Sequence, residues 1–295
     1  MTPAFERFIA PARAYPQLWR LVLGLALIAG VYLSWMGLIG GLIWLLRGLD
    51  ALEGGLMRLA DGGDPLSLLV LLCTFAGMAL GAWLAARLLH RRGLGSLIGR
   101  PAAVLRDFVL GLIVMALIGG GLALVLLPFL PGLEPAIPLR LWLLFLPLAL
   151  AGILLQTGAE ELVFRGYLQQ QLAARFASPL IWMGLPALLF GLAHHAPEDM
   201  GANTWAVVAA TGLFGLIAAD LTARTGNLGL AWGVHFANNC VAILLISVMG
   251  GLDGLALFTM TEGAVSDGLL QRLILMDMVM LVLVWLACVL WLRRR

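Results

Sequence analysis

Two adjacent glutamates and an arginine stand at the end of an apolar run in the segment GAEELVFRGY, which covers residues 158–167. A carboxylate or a guanidinium at the centre of a membrane helix costs on the order of 2.5–3.5 kcal/mol even on lenient insertion scales. Glu161 and Arg165 are four residues apart with the acid first, which favours an ion pair on one helix face. Glu160 points about 100° away from its neighbour and is left without this partner.

This difference between the two glutamates predicts different roles. A glutamate that is neutralised by an arginine is a poor base, whereas an unpaired glutamate in a partly desolvated site is a better proton acceptor. Glu160 is therefore the candidate catalytic base, and Glu161 and Arg165 are candidates for structural support. The alternative is a solvated helix end that carries an ion pair and has no catalytic function.

Two more polar groups of residues interrupt apolar segments. In FGLAHH, Phe190 lies one turn before His194, where its ring could pack on the imidazole. In WGVHFANN, His235 and Asn239 are four residues apart and project from one helix face. Asn238 is three residues after the histidine and also lies on that side. Helix-to-helix hydrogen bonds are the alternative explanation for this second group.

Convergence of the three polar segments on one cavity is the simplest interpretation, because they hold nearly all the uncompensated polarity of the apolar regions. Other charges in these regions are interpreted as structural. Asp220 and Arg224 form an acid-then-base pair at a spacing of four residues, and Asp277 is a lone acid in the last apolar segment.

The composition of the chain indicates an integral membrane protein. Of 295 residues, 62% are hydrophobic and 12% are charged, and the mean hydropathy is +1.02. No strand-like alternation competes with the apolar runs. We therefore predict an all-α, polytopic transmembrane bundle of about eight spans with a polar cavity open to the cytosol. The predicted spans are 21–46, 66–86, 109–131, 139–157, 180–194, 205–223, 227–249 and 269–292.

The predicted ends of the fourth and fifth spans would place Glu160 and His194 at different depths in the membrane. His194 lies about 21 Å along the fifth span from Leu180, at about 1.5 Å per residue, whereas Glu160 would lie at the end of its own span. Either the fifth span starts later in the chain, or the fourth helix continues past Glu160. We expect the second, since Leu162, Val163 and Phe164 keep the segment apolar.

The charges predict the orientation of the chain. Arginines and acids fall in alternate loops, and the positive-inside rule then places both termini in the cytoplasm. A net charge of +2 is too small to suggest a nucleic-acid partner. The three cysteines lie singly in apolar segments and predict neither disulfides nor a metal site.

The order of the motifs EExxxR, FxxxH and HxxxN in a polytopic chain resembles the CPBP family of intramembrane endopeptidases, which includes CAAX prenyl proteases and bacterial Abi proteins. The resemblance covers roughly residues 140–250. It implies a catalytic core at 131–255, preceded by helices without motifs at 1–130 and followed by a last helix and basic tail at 256–295. It also implies a peptide or lipidated protein substrate, a surrounding of membrane lipid, no cofactor, and a bacterial inner membrane location.

The resemblance further implies a metal-independent glutamate mechanism. Glu160 would activate water, and His194 would help to hold or relay the proton. His235 and Asn239 would stabilise the oxyanion of the tetrahedral intermediate. Glu161 and Arg165 would hold the first motif in place, and Phe190 would support His194.

Two other functions remain open at this point. A metal-dependent hydrolase is possible because glutamate and histidine are zinc ligands, although no H-E-x-x-H is present and asparagine is a poor zinc ligand. A non-catalytic protein, such as an immunity factor or a membrane scaffold, would use the same residues only to hold the bundle together.

Overall fold

The computed structural model describes residues 1–248, 252–261 and 263–294, and the fold is a bundle of helices. Its main helices are, in chain order, α1 (Pro3–Ile9), α2 (Leu18–Arg47), α3 (Leu52–Asp61), α4 (Pro65–His90), α5 (Leu94–Ile98), α6 (Pro101–Phe129), α7 (Leu139–Arg175), α8 (Leu180–Leu192), α9 (Pro197–Thr225), α10 (Gly229–Leu245) and α11 (Asp267–Leu292).

The predicted class is confirmed: the protein is an all-helical polytopic bundle. Within the described residues, six helices are long and apolar enough to cross a membrane, namely α2, α4, α6, α7, α9 and α11. Helices α8 and α10 are shorter apolar helices at the places of the predicted fifth and seventh spans. The count of eight spans and the cytosolic opening of the cavity remain predictions.

A small sheet was not expected from the sequence. Its strands are β1 (Leu133–Pro135), β2 (Ile246–Val248) and β3 (Phe258–Met260), in the order β1-β3-β2. The first pair is antiparallel and the second is parallel. Each strand has three residues, which is too short to show a two-residue period. The predicted seventh span therefore ends as a helix at Leu245, and the chain continues as β2.

Helix α7 resolves the problem of depth. It continues past the two glutamates, as expected, to Arg175, and a short loop then leads to α8. Glu160 lies 15 residues before that loop and His194 lies 14 residues after it. At about 1.5 Å per residue both side chains are roughly 21–23 Å from the loop. The two antiparallel helices can therefore present Glu160 and His194 at the same depth.

Close packing of two helix pairs depends on glycine. A Cβ atom at Gly233 would lie 2.1 Å from the carbonyl oxygen of Phe108 in α6, and one at Gly229 would lie 2.2 Å from that of Val104. Gly81 packs in the same way on α2, where its Cβ would lie 2.9 Å from the Ile28 Cα. In contrast, a Cβ at Gly37 would meet nothing within 4 Å.

We expect Gly233→Ala to destabilise the bundle by about 1–3 kcal/mol, because the methyl group forces α6 and α10 apart. The matched control is Gly37→Ala, which should be neutral or stabilising by up to about 1 kcal/mol through helix propensity. Thermal unfolding in detergent, followed by circular dichroism, measures both. Equal midpoints for the two variants would contradict the packing argument.

Candidate active site

A buried ion pair organises the first motif. Arg165 Nη1 lies 3.1 Å from Glu161 Oε1, and the two side chains are 1% and 0% exposed. Arg165 also donates to the carbonyl oxygen of Gly215 through Nη2, at 3.3 Å. Its Cζ atom lies 4.6 Å from the centroid of the Phe190 ring. The pair expected from the four-residue spacing is therefore present and fully enclosed.

His235 joins the two glutamates. Its Nδ1 lies 2.9 Å from Glu161 Oε1, and its Nε2 lies 3.4 Å from Glu160 Oε2. Each glutamate thus faces a different nitrogen of one imidazole. Helix α10 supplies the ring and α7 supplies both carboxyl groups, so this contact links residues 74 positions apart.

The contacts of His235 restrict where its protons lie. Glu161 forms an ion pair with Arg165, and the carboxylate of such a pair only accepts hydrogen bonds. Nδ1 of His235 must then carry a proton. Nε2 and Glu160 attract each other only if a further proton lies between them, on the imidazolium or on the carboxyl group. Glu160 and His235 therefore form a pair that can share one proton.

Glu160 is the more accessible of the two glutamates. Its side chain is 11% exposed, whereas that of Glu161 is 0% exposed. The 3.4 Å separation from His235 is long for a hydrogen bond. Catalytic contacts are often this long in the absence of substrate and shorten when it binds. The Glu160 side chain is therefore partly open although its Oε2 atom is buried, whereas Glu161 is fully enclosed.

His194 lies just after the end of α8. Its Nδ1 is 2.8 Å from the carbonyl oxygen of Phe190, so Nδ1 is the donor, and Nε2 is the nitrogen that can accept a proton. The expected contact with Phe190 is present, with ring centroids 4.9 Å apart. The neighbouring His195 instead packs on Trp205, at 5.1 Å between ring centroids.

Asn239 is held by a residue that we did not single out from the sequence. Its Nδ2 donates to Gln156 Oε1 at 2.9 Å. Gln156 is 7% exposed and lies in α7, four residues before Glu160. That spacing places Gln156 and Glu160 on one helix face. It is the feature of the sequence from which Gln156 could be predicted as a site residue. Asn239 retains a second N–H that can serve another acceptor.

Residues of α8, α9, α10 and α11, together with His194, line one small polar cavity. Its volume is about 100 Å³, enough for several water molecules. Among the predicted site residues, Phe190, His194, His235 and Asn239 line it, whereas Glu160 reaches it only by its contact with His235. The wall also contains Asp277, which we had interpreted as a structural residue. The remaining lining residues are Ala210, Thr211, Phe214, Asn238 and Leu281.

Polar residues after the glutamates connect the motif to the rest of the bundle. Tyr167 Oη lies 2.8 Å from His90 Nε2, and Gln169 Nε2 donates to the carbonyl oxygen of Ala219 at 3.0 Å. Gln170 accepts from Arg92, and burial lowers the pKa of Arg92 to about 10. These residues stabilise the end of α7, and they have no contact with the cavity in the described part of the chain.

Comparison with known proteins finds a family model that part of the chain matches. Residues 138–241 match the family model described as type II CAAX prenyl endopeptidase Rce1-like. The uncharacterized protein YyaK of Bacillus subtilis (strain 168) is 38% identical over 128 residues, which cover 42% of this chain and 41% of YyaK. The match thus spans less than half of that relative. No solved structure matches the chain. The matched region contains every residue of the three motifs, so the resemblance stated above is confirmed.

Proposed function

We propose that this membrane protein is an endopeptidase in which Glu160 activates the attacking water, since residues 138–241 match the Rce1-like CAAX prenyl endopeptidase family model. One observation carries the proposal. Glu160 is the accessible carboxyl group at the end of a buried chain of contacts that runs through His235 and Glu161 to Arg165.

In the first step, Glu160 accepts a proton from water, and the resulting hydroxide forms a bond to the scissile carbonyl carbon. His235 shares this proton through Nε2, while the Glu161–Arg165 pair holds its Nδ1–H in place. Glu160 and His235 together keep the proton close to the reacting atoms, and the charges of Glu161 and Arg165 stay buried. General base catalysis of this kind contributes about 10²–10⁴-fold.

In the second step, the carbon–nitrogen bond breaks and the shared proton passes to the leaving amine. The free N–H of Asn239 donates to the oxyanion of the intermediate, and one such donor is typically worth about 2.7–4 kcal/mol. His194 keeps Nε2 as an acceptor and can orient the water or relay the proton. We assign His235 to proton sharing with Glu160 and not to stabilisation of the oxyanion. Its Nε2 faces Glu160, and an Nε2–H group that donated to the oxyanion would have to turn away from that carboxyl group.

A membrane-associated or lipidated peptide fits the surroundings of the site. Two adjoining apolar cavities, of about 480 and 430 Å³, share Leu154 and Trp232 in their walls. The second also contacts Gly158 and Ala159, which directly precede Glu160 in α7. A hydrocarbon chain can lie in these cavities while the peptide bond approaches Glu160.

The contacts of the histidines argue against a metal-dependent hydrolase. Both nitrogens of His235 face glutamates, and His194 uses Nδ1 on a backbone carbonyl. Among the residues that the structure describes, no three histidine, cysteine or acidic side chains are grouped so that they could hold a metal ion.

The test is hydrolysis of a fluorogenic peptide by the purified protein in lipid nanodiscs. The same peptide is assayed with and without a lipid group, and each assay is repeated after incubation with a strong chelator. We expect cleavage that survives the chelator and a lower KM for the lipidated peptide. Loss of activity with the chelator, restored by a divalent metal, would favour a metal-dependent hydrolase.

A further inference from the structure

The cavity contains a carboxyl group that the proposed mechanism does not use. Asp277 projects from α11 into the wall that it shares with His194, His235 and Asn239. It makes no hydrogen bond or ion pair with any residue that the structure describes. The nearest arginine along its helix, Arg272, donates instead to the carbonyl oxygen of Gly268.

The charges around the cavity are unbalanced. No arginine is among the described residues that line it, and the chain has no lysine. Glu161 is paired with Arg165, and Glu160 Oε2 faces His235 Nε2 at 3.4 Å. The carboxyl group of Asp277 is the group left over. Asp277 is half-buried, and a cation or hydrogen-bond donors that enter the cavity would stabilise its carboxyl group.

The cavity suits a compact cationic group. Its volume of about 100 Å³ accepts the end of a lysine or arginine side chain but not a whole peptide. Asn238 and Asn239 add side-chain oxygens that can accept further hydrogen bonds. The carboxylate of Asp277 would repel a carboxylate placed in the same cavity.

We propose that Asp277 is a specificity-determining residue that binds a basic side chain of the substrate next to the scissile bond. The proposal rests on the proposed peptidase function, and it deepens that function by naming a substrate class. The carboxylate accepts hydrogen bonds from the ammonium or guanidinium group and thereby selects among peptides, while Glu160 performs the chemistry.

The first experiment compares peptides that differ at one position beside the scissile bond. That residue is lysine or its neutral near-isostere norleucine. We expect the wild-type protein to favour the lysine peptide in kcat/KM by about tenfold to a hundredfold, as for a hydrogen bond to a charged group. Asp277→Asn should reduce this ratio to near one, mainly through KM. The matched control is Asp267→Asn, the same change at an exposed aspartate of the same helix, and it should keep the ratio.

The second experiment measures binding without catalysis. Fluorescence anisotropy of both labelled peptides is measured on the Glu160→Gln protein, with and without Asp277→Asn. We expect a preference for the lysine peptide that disappears in the double variant. If this preference is seen but no peptide is hydrolysed by the wild-type protein, the role of Asp277 stands and the proposed peptidase function fails.

Three results would overturn the proposal. The first is equal or undetectable binding of both peptides by the Glu160→Gln protein. The second is a wild-type lysine preference that persists in Asp277→Asn. The third is a uniform loss of kcat for both peptides in Asp277→Asn, because this would make the residue a part of the site's structure and not of its selectivity.

Discussion

Replacement of Glu160 by glutamine is expected to lower kcat for peptide hydrolysis by about 10²–10⁴-fold while the protein remains folded. The amide has nearly the size of the carboxyl group and retains an oxygen toward His235 Nε2, but it cannot accept a proton from water. The loss should therefore appear in kcat, with KM little changed. Steady-state kinetics on the cleaved peptide, together with the thermal unfolding midpoint, measure both parts of this expectation.

The matched control for this variant is Glu134→Gln, which makes the same change at an exposed glutamate of β1. It should keep both kcat and the unfolding midpoint. A folded Glu160→Gln protein with wild-type kcat would remove the proposed base. The motif residues would then serve only to hold the bundle together, as in the scaffold alternative.

Local spacing was sufficient to predict the parts of the site that lie on one helix. The Glu161–Arg165 pair and the Phe190–His194 contact each involve residues four positions apart, whose geometry the helix itself determines. Continuation of α7 past Glu160 followed from apolar residues beyond the charges. These features depend on the periodicity of one element, which a single sequence contains.

Contacts between helices were not predictable in the same way. His235 meets Glu161 across 74 positions, and Asn239 meets Gln156 across 83. Which faces of α6 and α10 meet depends on close packing around glycines such as Gly233. Periodicity therefore gave the candidate residues, but not their partners. The place of Asp277 in the cavity wall likewise depends on how α11 docks against the other helices.

The second large effect concerns the stability of the site. Arg165→Met is expected to destabilise the folded protein by about 3–5 kcal/mol, because Glu161 would remain buried as a charge with only the Nδ1–H of His235 as a donor. The arginine is 1% exposed and Glu161 is 0% exposed, so water cannot replace the lost partner. Thermal or denaturant unfolding in detergent, monitored by circular dichroism, measures the change.

The fold provides a matched control for this prediction in Asp220 and Arg224, which have the same spacing and order but are 23% and 33% exposed. Arg224→Met should cost only about 0.2–1 kcal/mol, as for other accessible ion pairs. A second comparison adds Glu161→Gln to Arg165→Met. This double variant should regain much of the lost stability, since glutamine is neutral and still accepts from His235 Nδ1. Equal losses for Arg165→Met and Arg224→Met, with no recovery in the double variant, would show that the enclosed pair does not hold the catalytic helix in place.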